Sequence, residues 1–464
     1  LMNTPYTAAE YQEPEMKKSL FALILVSLCA SAFCLEPVGV VVPFPAKAGL
    51  KAGESSTIDA AAFPGSSFVK VHLGSLLLGE GDSLLVSDGK DSVYEVSGPF
   101  SGPLWLPSVE SEAAFLTLAS KNGSGSASYT VDEVGVGFSA PAEPESVCGS
   151  DDRRNPLCYS SDKQTAGLAV GRMKFASGGY MYVCTGSLVS ASGHFLTNNH
   201  CIEDQYGADS LEVWWRYEAT TCEGAAQTYE YRTMGSAFLK TNGTLDYTLL
   251  QIDDPELYER YGYLRIAART AQPGETIWVP QHGGGGMKRF AVESDMDGGP
   301  AKVIDESITG NAKGTDIGYW ADTEGGSSGS PVLDSNNKIL ALHHFGLPSG
   351  AYCDSSYMNQ GVKMSLIYPE IAEYIGSVIP PTVSSVKKAV DPFRLIIEGK
   401  NFKEGISAYI GADPTPWPYY SYKNAEKYVI KGNKTLKALF PKGVPVTITL
   451  VNPDGGTVYT SFTR

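Results

Sequence analysis

Short β-rich runs broken by Gly, Ser and Asp turns dominate the chain. Leu76-Leu-Leu-Gly-Glu-Gly-Asp-Ser-Leu-Leu-Val86 and Ala113-Ala-Phe-Leu-Thr-Leu-Ala119 are examples from residues 36–140, and their spacing predicts a β-sandwich. Further on, the apolar Phe195-Leu196 predicts a buried strand ending in a turn that carries His200. Thr244-Leu-Asp-Tyr-Thr-Leu-Leu-Gln-Ile252 predicts a strand with one carboxylate, Asp246, near its start. Met364-Ser-Leu-Ile-Tyr-Pro-Glu-Ile-Ala-Glu-Tyr-Ile375 has apolar residues at helical spacing and predicts a closing helix. Past Pro380-Pro381, strand-like runs resume at Ile396–Phe402 and Val446–Val451, and Asp454-Gly455 fits a tight hairpin turn.

At 464 residues the chain exceeds one core and predicts three domains. Residues 1–15 read as an upstream extension. Residues 16–34 read as a secretory signal peptide, with two lysines, a short apolar stretch and the cleavage site Ala30-Ser31-Ala32. That apolar run is too short to span a bilayer. The N-terminal sandwich is expected over 35–140, a linker over 141–147, a central domain over 148–378 and a C-terminal domain over 379–464. The location of the N-terminal sandwich suits a propeptide and a retained accessory domain equally. A formal charge of −15 and the lack of a basic run argue against nucleic acid as a partner.

The strongest chemical signal is Gly325-Gly326-Ser327-Ser328-Gly329-Ser330-Pro331. Glycine before a serine lets the backbone turn tightly and aim its N–H groups at one spot, as an oxyanion hole requires. An aspartate buried at position 246 needs a partner. A histidine N–H supplies one, and the carboxylate then fixes the tautomer whose other nitrogen accepts a serine proton. Cys184 and Cys201 flank the strands around His200 and could tie them together, closing a loop worth roughly 3 kcal/mol. No spacing suggests a zinc site, and neither a metal nor a cofactor is implied.

The order His200, Asp246, Ser328 is that of chymotrypsin. With Asn199-His200-Cys201, Asp246-Tyr-Thr-Leu-Leu and the serine heptad, residues 148–378 resemble a trypsin-like serine protease, nearest the bacterial lysyl and glutamyl endopeptidases. His282 with its following glycines and Lys288-Arg289 resembles a further loop of that group. The resemblance implies two β-barrels, so the whole chain is expected to be all-β: a double β-barrel flanked by an N-terminal β-sandwich and a C-terminal immunoglobulin-like β-sandwich. It implies Ser328 as nucleophile, His200 as general base and then acid, Asp246 as orienting carboxylate, and the Gly326 and Ser328 N–H groups as oxyanion donors. It also implies the disulfides Cys184–Cys201, Cys148–Cys353 and Cys158–Cys222; the six cysteines alone allow fifteen pairings. Where mammalian trypsin-like enzymes carry an aspartate before the nucleophile, this chain has Ser327.

Substrate preference is drawn in different directions. Asp322, six positions before Ser328, lies where trypsin binds Arg or Lys. His343 lies where glutamyl endopeptidases hold an acidic side chain, and His344 aligns with a histidine of the lysyl endopeptidases. The lysine-selecting aspartate of the latter group falls near Asn359, which carries no charge. A basic preference through Asp322 is expected, with an acidic one through His343 as the rival.

Residues 35–140 resemble a CUB-like or jelly-roll module through Gly81-Asp82 and Asp88-Gly89. Residues 379–464 resemble an IPT/TIG domain through Gly399-Lys-Asn-Phe402 and Asn452-Pro-Asp-Gly455. The expected whole is a secreted, periplasmic or extracellular monomeric endopeptidase acting on proteins or peptides. The alternative is a catalytically inactive protease homologue acting as an adhesion or binding protein. An esterase ranks last, because the chain lacks a Gly-x-Ser-x-Gly elbow and βα alternation.

Overall fold

The computed structural model describes residues 35–464 apart from 52–53, 55, 121–126, 139–146, 226, 347–352, 354–356, 377–380, 412, 414 and 453–456. The proposed leader, Cys34, most of the linker and the Asp454-Gly455 turn lie outside the described residues. Strands dominate, and the architecture is all-β.

In the N-terminal module, strict alternation builds the core. Leu84 and Val86 of Asp82–Ser87, and Leu116 and Leu118 of Ala113–Ser120, point inward against Val69, Val71 and Leu73 of Val69–Leu78. Each such side chain removed from water contributes roughly 1.5–3 kcal/mol. Gly81 turns the chain between strands with φ of 82°, a conformation that suits glycine.

The sequence predicts this module as a separate sandwich, but it shares a sheet with the central domain. Its first strand, Glu36–Gly49, pairs on one side with Ser128–Gly137 and on the other with Tyr180–Leu188. The latter belongs to the first barrel, beside Val170–Ser177 and His194–Thr197. Alternation reports which faces are buried but not which edge finds a partner 140 residues away.

The second barrel follows the order Arg289–Ala291, Ile277–Gln281, Pro331–Asp334, Ile339–Phe345, Asn359–Lys363, Asp316–Tyr319, Val303–Ile308. The middle of this sheet is covered on both faces, and all seven residues of Ile339–Phe345 are buried, whereas the edge strand Val303–Ile308 is mostly half-buried. The Met364–Ile375 helix closes the domain by burying Met364, Ile367 and Ile371. After it, Thr382–Val390, Phe393–Lys400, Lys427–Lys431 and Tyr420–Asn424 form one sheet, and Ser407–Ile410, Pro445–Val451 and Thr457–Thr463 another. Leu395, Ile397, Tyr428, Ile448 and Leu450 fill the core of this C-terminal unit.

Candidate active site

His200 stands in the turn after the buried His194–Thr197 strand, which pairs with Tyr247–Gln251. That pairing brings the end of one strand to the start of the other, so Asp246 meets His200 across 46 residues of sequence. The carboxylate takes His200 twice: Oδ1 accepts its backbone N–H at 2.9 Å, and Oδ2 lies 2.7 Å from its Nδ1. Asp246 has φ of 41°, a left-handed conformation uncommon for any residue but glycine. Asn198 holds it there by donating its side-chain amide to the Asp246 carbonyl at 2.8 Å.

A second imidazole reaches the same carboxylate. His344 Nδ1 lies 3.0 Å from Asp246 Oδ2, its Nε2 lies 2.5 Å from Asp316 Oδ2, and its ring stacks on Phe345 at 3.8 Å. Burial pushes the His344 pKa down, but hydrogen bonds to two carboxylates outweigh it and the value is raised. Burial lifts Asp246, while the two imidazoles hold it well below the usual carboxylate range.

Ser328 sits in a turn whose backbone is spoken for on nearly every side. Gly326 and Gly329 have φ of 86° and 85°, and a Cβ on Gly329 would stand 2.1 Å from the Thr185 carbonyl. Thr185 braces the turn, donating its N–H to the Ser328 carbonyl and its hydroxyl to the Gly326 carbonyl, each at 2.9 Å. The N–H groups of Ser327, Gly329 and Ser330 bond to Glu324, His343 and Ser327 carbonyls. Those of Gly326 and Ser328 have no protein acceptor among the described residues. Cys201, next to His200, lies with its sulfur 4.0 Å from the Ser328 carbonyl.

Ser327 donates its hydroxyl to Gln281 Oε1 at 2.6 Å and accepts the Glu324 N–H. The loop is also braced by Arg153, whose guanidinium pairs with Glu324 at 2.6 Å and with Asp151. The segment just inside the central domain thus holds the loop by internal ion pairs.

Asp322 is buried, and its two oxygens accept the backbone N–H groups of Cys148 at 2.7 Å and Asp152 at 2.8 Å. Burial lifts its pKa to about 6 against those donors. Each oxygen thus has a backbone donor and keeps a further acceptor site. His343 Nδ1 lies 2.7 Å from the Tyr319 hydroxyl, and burial, followed by His344 and His200, pushes it down to about 3. It is therefore a neutral imidazole. Asn359 donates its amide to the Ala321 carbonyl at 2.8 Å. His282 is buried against the Gly286 carbonyl, and Lys288 faces Glu218 at 3.7 Å.

The disulfides are Cys148–Cys353, Cys158–Cys222 and Cys184–Cys201, the pairing that the family resemblance implies. Cys184, His200 and Cys201 lie within metal-ligand distance of one another, but the two sulfurs are joined and offer no thiolate. Asp316, Gln281 and Arg153 escaped the sequence reading. Only a carboxylate in the otherwise apolar Asp316–Tyr319 strand hinted at the first.

Residues 150–360 match the family described as lysyl endopeptidase, C-terminal domain. Secreted RxLR effector protein 73 of Plasmopara viticola is 35% identical over 236 residues, 48% of this chain and 58% of that protein, so the chain spans little more than half of that relative. A lysyl endopeptidase of Pseudomonas aeruginosa is 26% identical over 364 residues, 69% of this chain and 73% of its own. A solved Glu endopeptidase in complex with MPD is 20% identical over 49% of this chain and 98% of its own, with a TM-score of 0.33. No helix among the described residues is long and apolar enough to cross a membrane. Over residues 150–360 the central domain of this chain is thus similar to the C-terminal domain of lysyl endopeptidase, and its serine, histidine and aspartate motifs fall inside that match.

Proposed function

We propose that the protein is an exported serine endopeptidase. The observation that carries this reading is the double grip of Asp246 on His200 beside a loop whose Gly326 and Ser328 N–H groups are left for a ligand. In the mechanism, Ser328 Oγ attacks the scissile carbonyl while its proton passes to His200 Nε2. The tetrahedral oxyanion is held by the two N–H groups, each worth roughly 3 kcal/mol. His200 then protonates the leaving amine, the C–N bond breaks, and an acyl ester remains on Ser328. Water, deprotonated by His200, attacks the ester; the acid leaves and the proton returns to Ser328. Asp246 fixes the tautomer and stabilises the imidazolium without taking the proton.

With Asp322 buried and each of its oxygens bonded to a backbone donor, that residue is the weaker candidate for selecting a basic side chain. His343, a neutral ring in the same barrel, favours an acidic or uncharged side chain before the scissile bond. Export rests on the leader read at residues 16–34 and on three disulfides, which persist in oxidising compartments. The C-terminal immunoglobulin-like unit serves adhesion or substrate binding. The 35% identical effector favours a second reading, a secreted binding protein on a protease scaffold. Digestion of an unfolded protein by the chain and by Ser328→Ala separates the two. Fragments that vanish in the variant support the protease, and their termini report the preference; no cleavage by either chain, even after residues 1–147 are trimmed, supports the binding protein.

A further inference from the structure

The cations of this protein are not spread evenly. Residues 379–464 hold twelve lysines and arginines against six aspartates and glutamates, a formal charge of +6 in a chain whose total is −15. Charge divided in this way between parts of one chain points to an anionic partner for the basic part.

Strand pairing gathers the cations on one face. In the sheet of Thr382–Val390, Phe393–Lys400, Lys427–Lys431 and Tyr420–Asn424, the side chains of Leu395, Ile397, Tyr428 and Ile430 fill the core. The residues between them look outward. Arg394 stands directly opposite Lys431, and Glu398 opposite Lys427. Lys387 reaches the same Glu398 at 2.6 Å. One acid thus serves two lysines, while Arg394 and Lys431 have no ion pair among the described residues. No basic run marks this face in the sequence, because its cations come from three strands with apolar residues between them.

The other sheet of the unit is different. Its outward positions Ser407, Tyr409, Thr447, Thr449, Tyr459 and Ser461 carry no charge. Charges that serve solubility alone are mixed in sign and scattered. Like charges placed directly opposite on a sheet also destabilise it, so the fold gains nothing from setting Arg394 against Lys431.

The row they form ends on an aromatic ring. Lys431 donates its backbone N–H to the Tyr419 carbonyl at 2.8 Å, and its own carbonyl accepts the Trp417 indole N–H at 2.7 Å. Tyr419 is 64% exposed and meets Trp417 edge-on at 6.0 Å. Two cations and a ring in line on a flat sheet suit a sugar acid, which offers a carboxylate and an apolar C–H face. Single-stranded nucleic acid needs a succession of rings for its bases. The edge strand does not supply them: Tyr420 stacks on the buried Tyr428, and Tyr422 donates its hydroxyl to the Phe402 carbonyl.

We propose that the outer face of this sheet binds an acidic polysaccharide, with Arg394 and Lys431 on its carboxylates and Tyr419 against a sugar ring. The site does not depend on Ser328; it tethers the central domain to a polyanionic polymer.

The test uses the full chain carrying Ser328→Ala, which keeps it uncut, with immobilised polygalacturonate as the probe. Dextran, single-stranded oligothymidylate and vesicles of phosphatidylserine with phosphatidylcholine are run beside it. Arg394→Glu with Lys431→Glu reverses the row while keeping a like-charge pair across the strands. Lys437→Glu with Lys442→Glu makes the same change of charge in the connection to the other sheet. Polygalacturonate should bind the parent and dextran should not, and the affinity should fall as salt screens the row. The row variant should bind at least about ten-fold more weakly, and the control within about three-fold of the parent. Should the row variant fail to fold, Arg394→Gln with Lys431→Gln removes the repulsion and reads the same loss. No binding of polygalacturonate by the parent, or equal losses in the row variant and the control, would overturn the site. Tighter binding of the oligothymidylate or of the vesicles would overturn an acidic polysaccharide as its ligand.

Discussion

His344 and His200 share one oxygen: Asp246 Oδ2 lies 3.0 Å from the first and 2.7 Å from the second. The orienting carboxylate is therefore clamped from two sides, and Asp316 anchors the far end of His344.

This clamp makes a pH-dependent contribution to stability. Burial opposes protonation of His344, but Asp246 and Asp316 raise its pKa above the unfolded value. Its contribution is fully present below about pH 6.5 and is lost as pH rises through the folded value. Asp246 behaves in the opposite sense. Burial raises it, the imidazoles depress it further, and its contribution is present above about pH 3.9 and lost as pH falls through the folded value. His344→Phe should remove the part of the stability that declines toward alkaline pH. Urea unfolding in a Ser328→Ala background, from about pH 5 to about pH 9, measures it; a gap between the two chains that stays constant with pH would refute this.

Single losses at the triad should cost nearly as much as losing all three groups. Ser328→Ala and His200→Ala should each lower kcat by roughly 10⁶-fold, and Asp246→Asn by roughly 10⁴-fold through the wrong tautomer. Steady-state hydrolysis of a short ester reads all three. Near-full activity in Asp246→Asn would move the role of the acid elsewhere.

Asp322→Ala should change stability and leave the cleavage preference alone. It strands the buried N–H of Cys148 and the half-buried N–H of Asp152, at a cost of about 1–3 kcal/mol. Thermal unfolding and fragment termini test the two halves. A switch away from basic residues before the cut would restore Asp322 to the substrate pocket.

Glu212 is the hub of the module interface, buried between Lys70 and Arg232. Burial lowers Lys70 to about 8 even with that partner. Glu212→Ala leaves a buried ammonium unpaired and should cost about 3–5 kcal/mol, whereas the double change Glu212→Leu with Lys70→Met should be nearly neutral. Chemical denaturation of the three chains decides it, and equal losses would mean that the pair is not coupled.

Much of the site was legible in the chain because the chemistry needs rare local patterns. The turn around Ser328 demands glycine at positive φ, and alternation or apolar runs mark strands wherever one or both faces are buried. The helix over Met364–Ile375 announced itself by its period in the same way. The remaining features depend on pairings distant in sequence. Nothing near Asp322 reveals that Cys148 and Asp152 will occupy its oxygens, nor does anything near His344 reveal a carboxylate on each ring nitrogen. The pairing of Glu36–Gly49 with Tyr180–Leu188 was equally hidden, since a strand's side chains select its faces while its partner is selected by backbone groups that every residue carries. Local sequence thus determined which groups the protein has to work with, and the tertiary structure decided which of them meet.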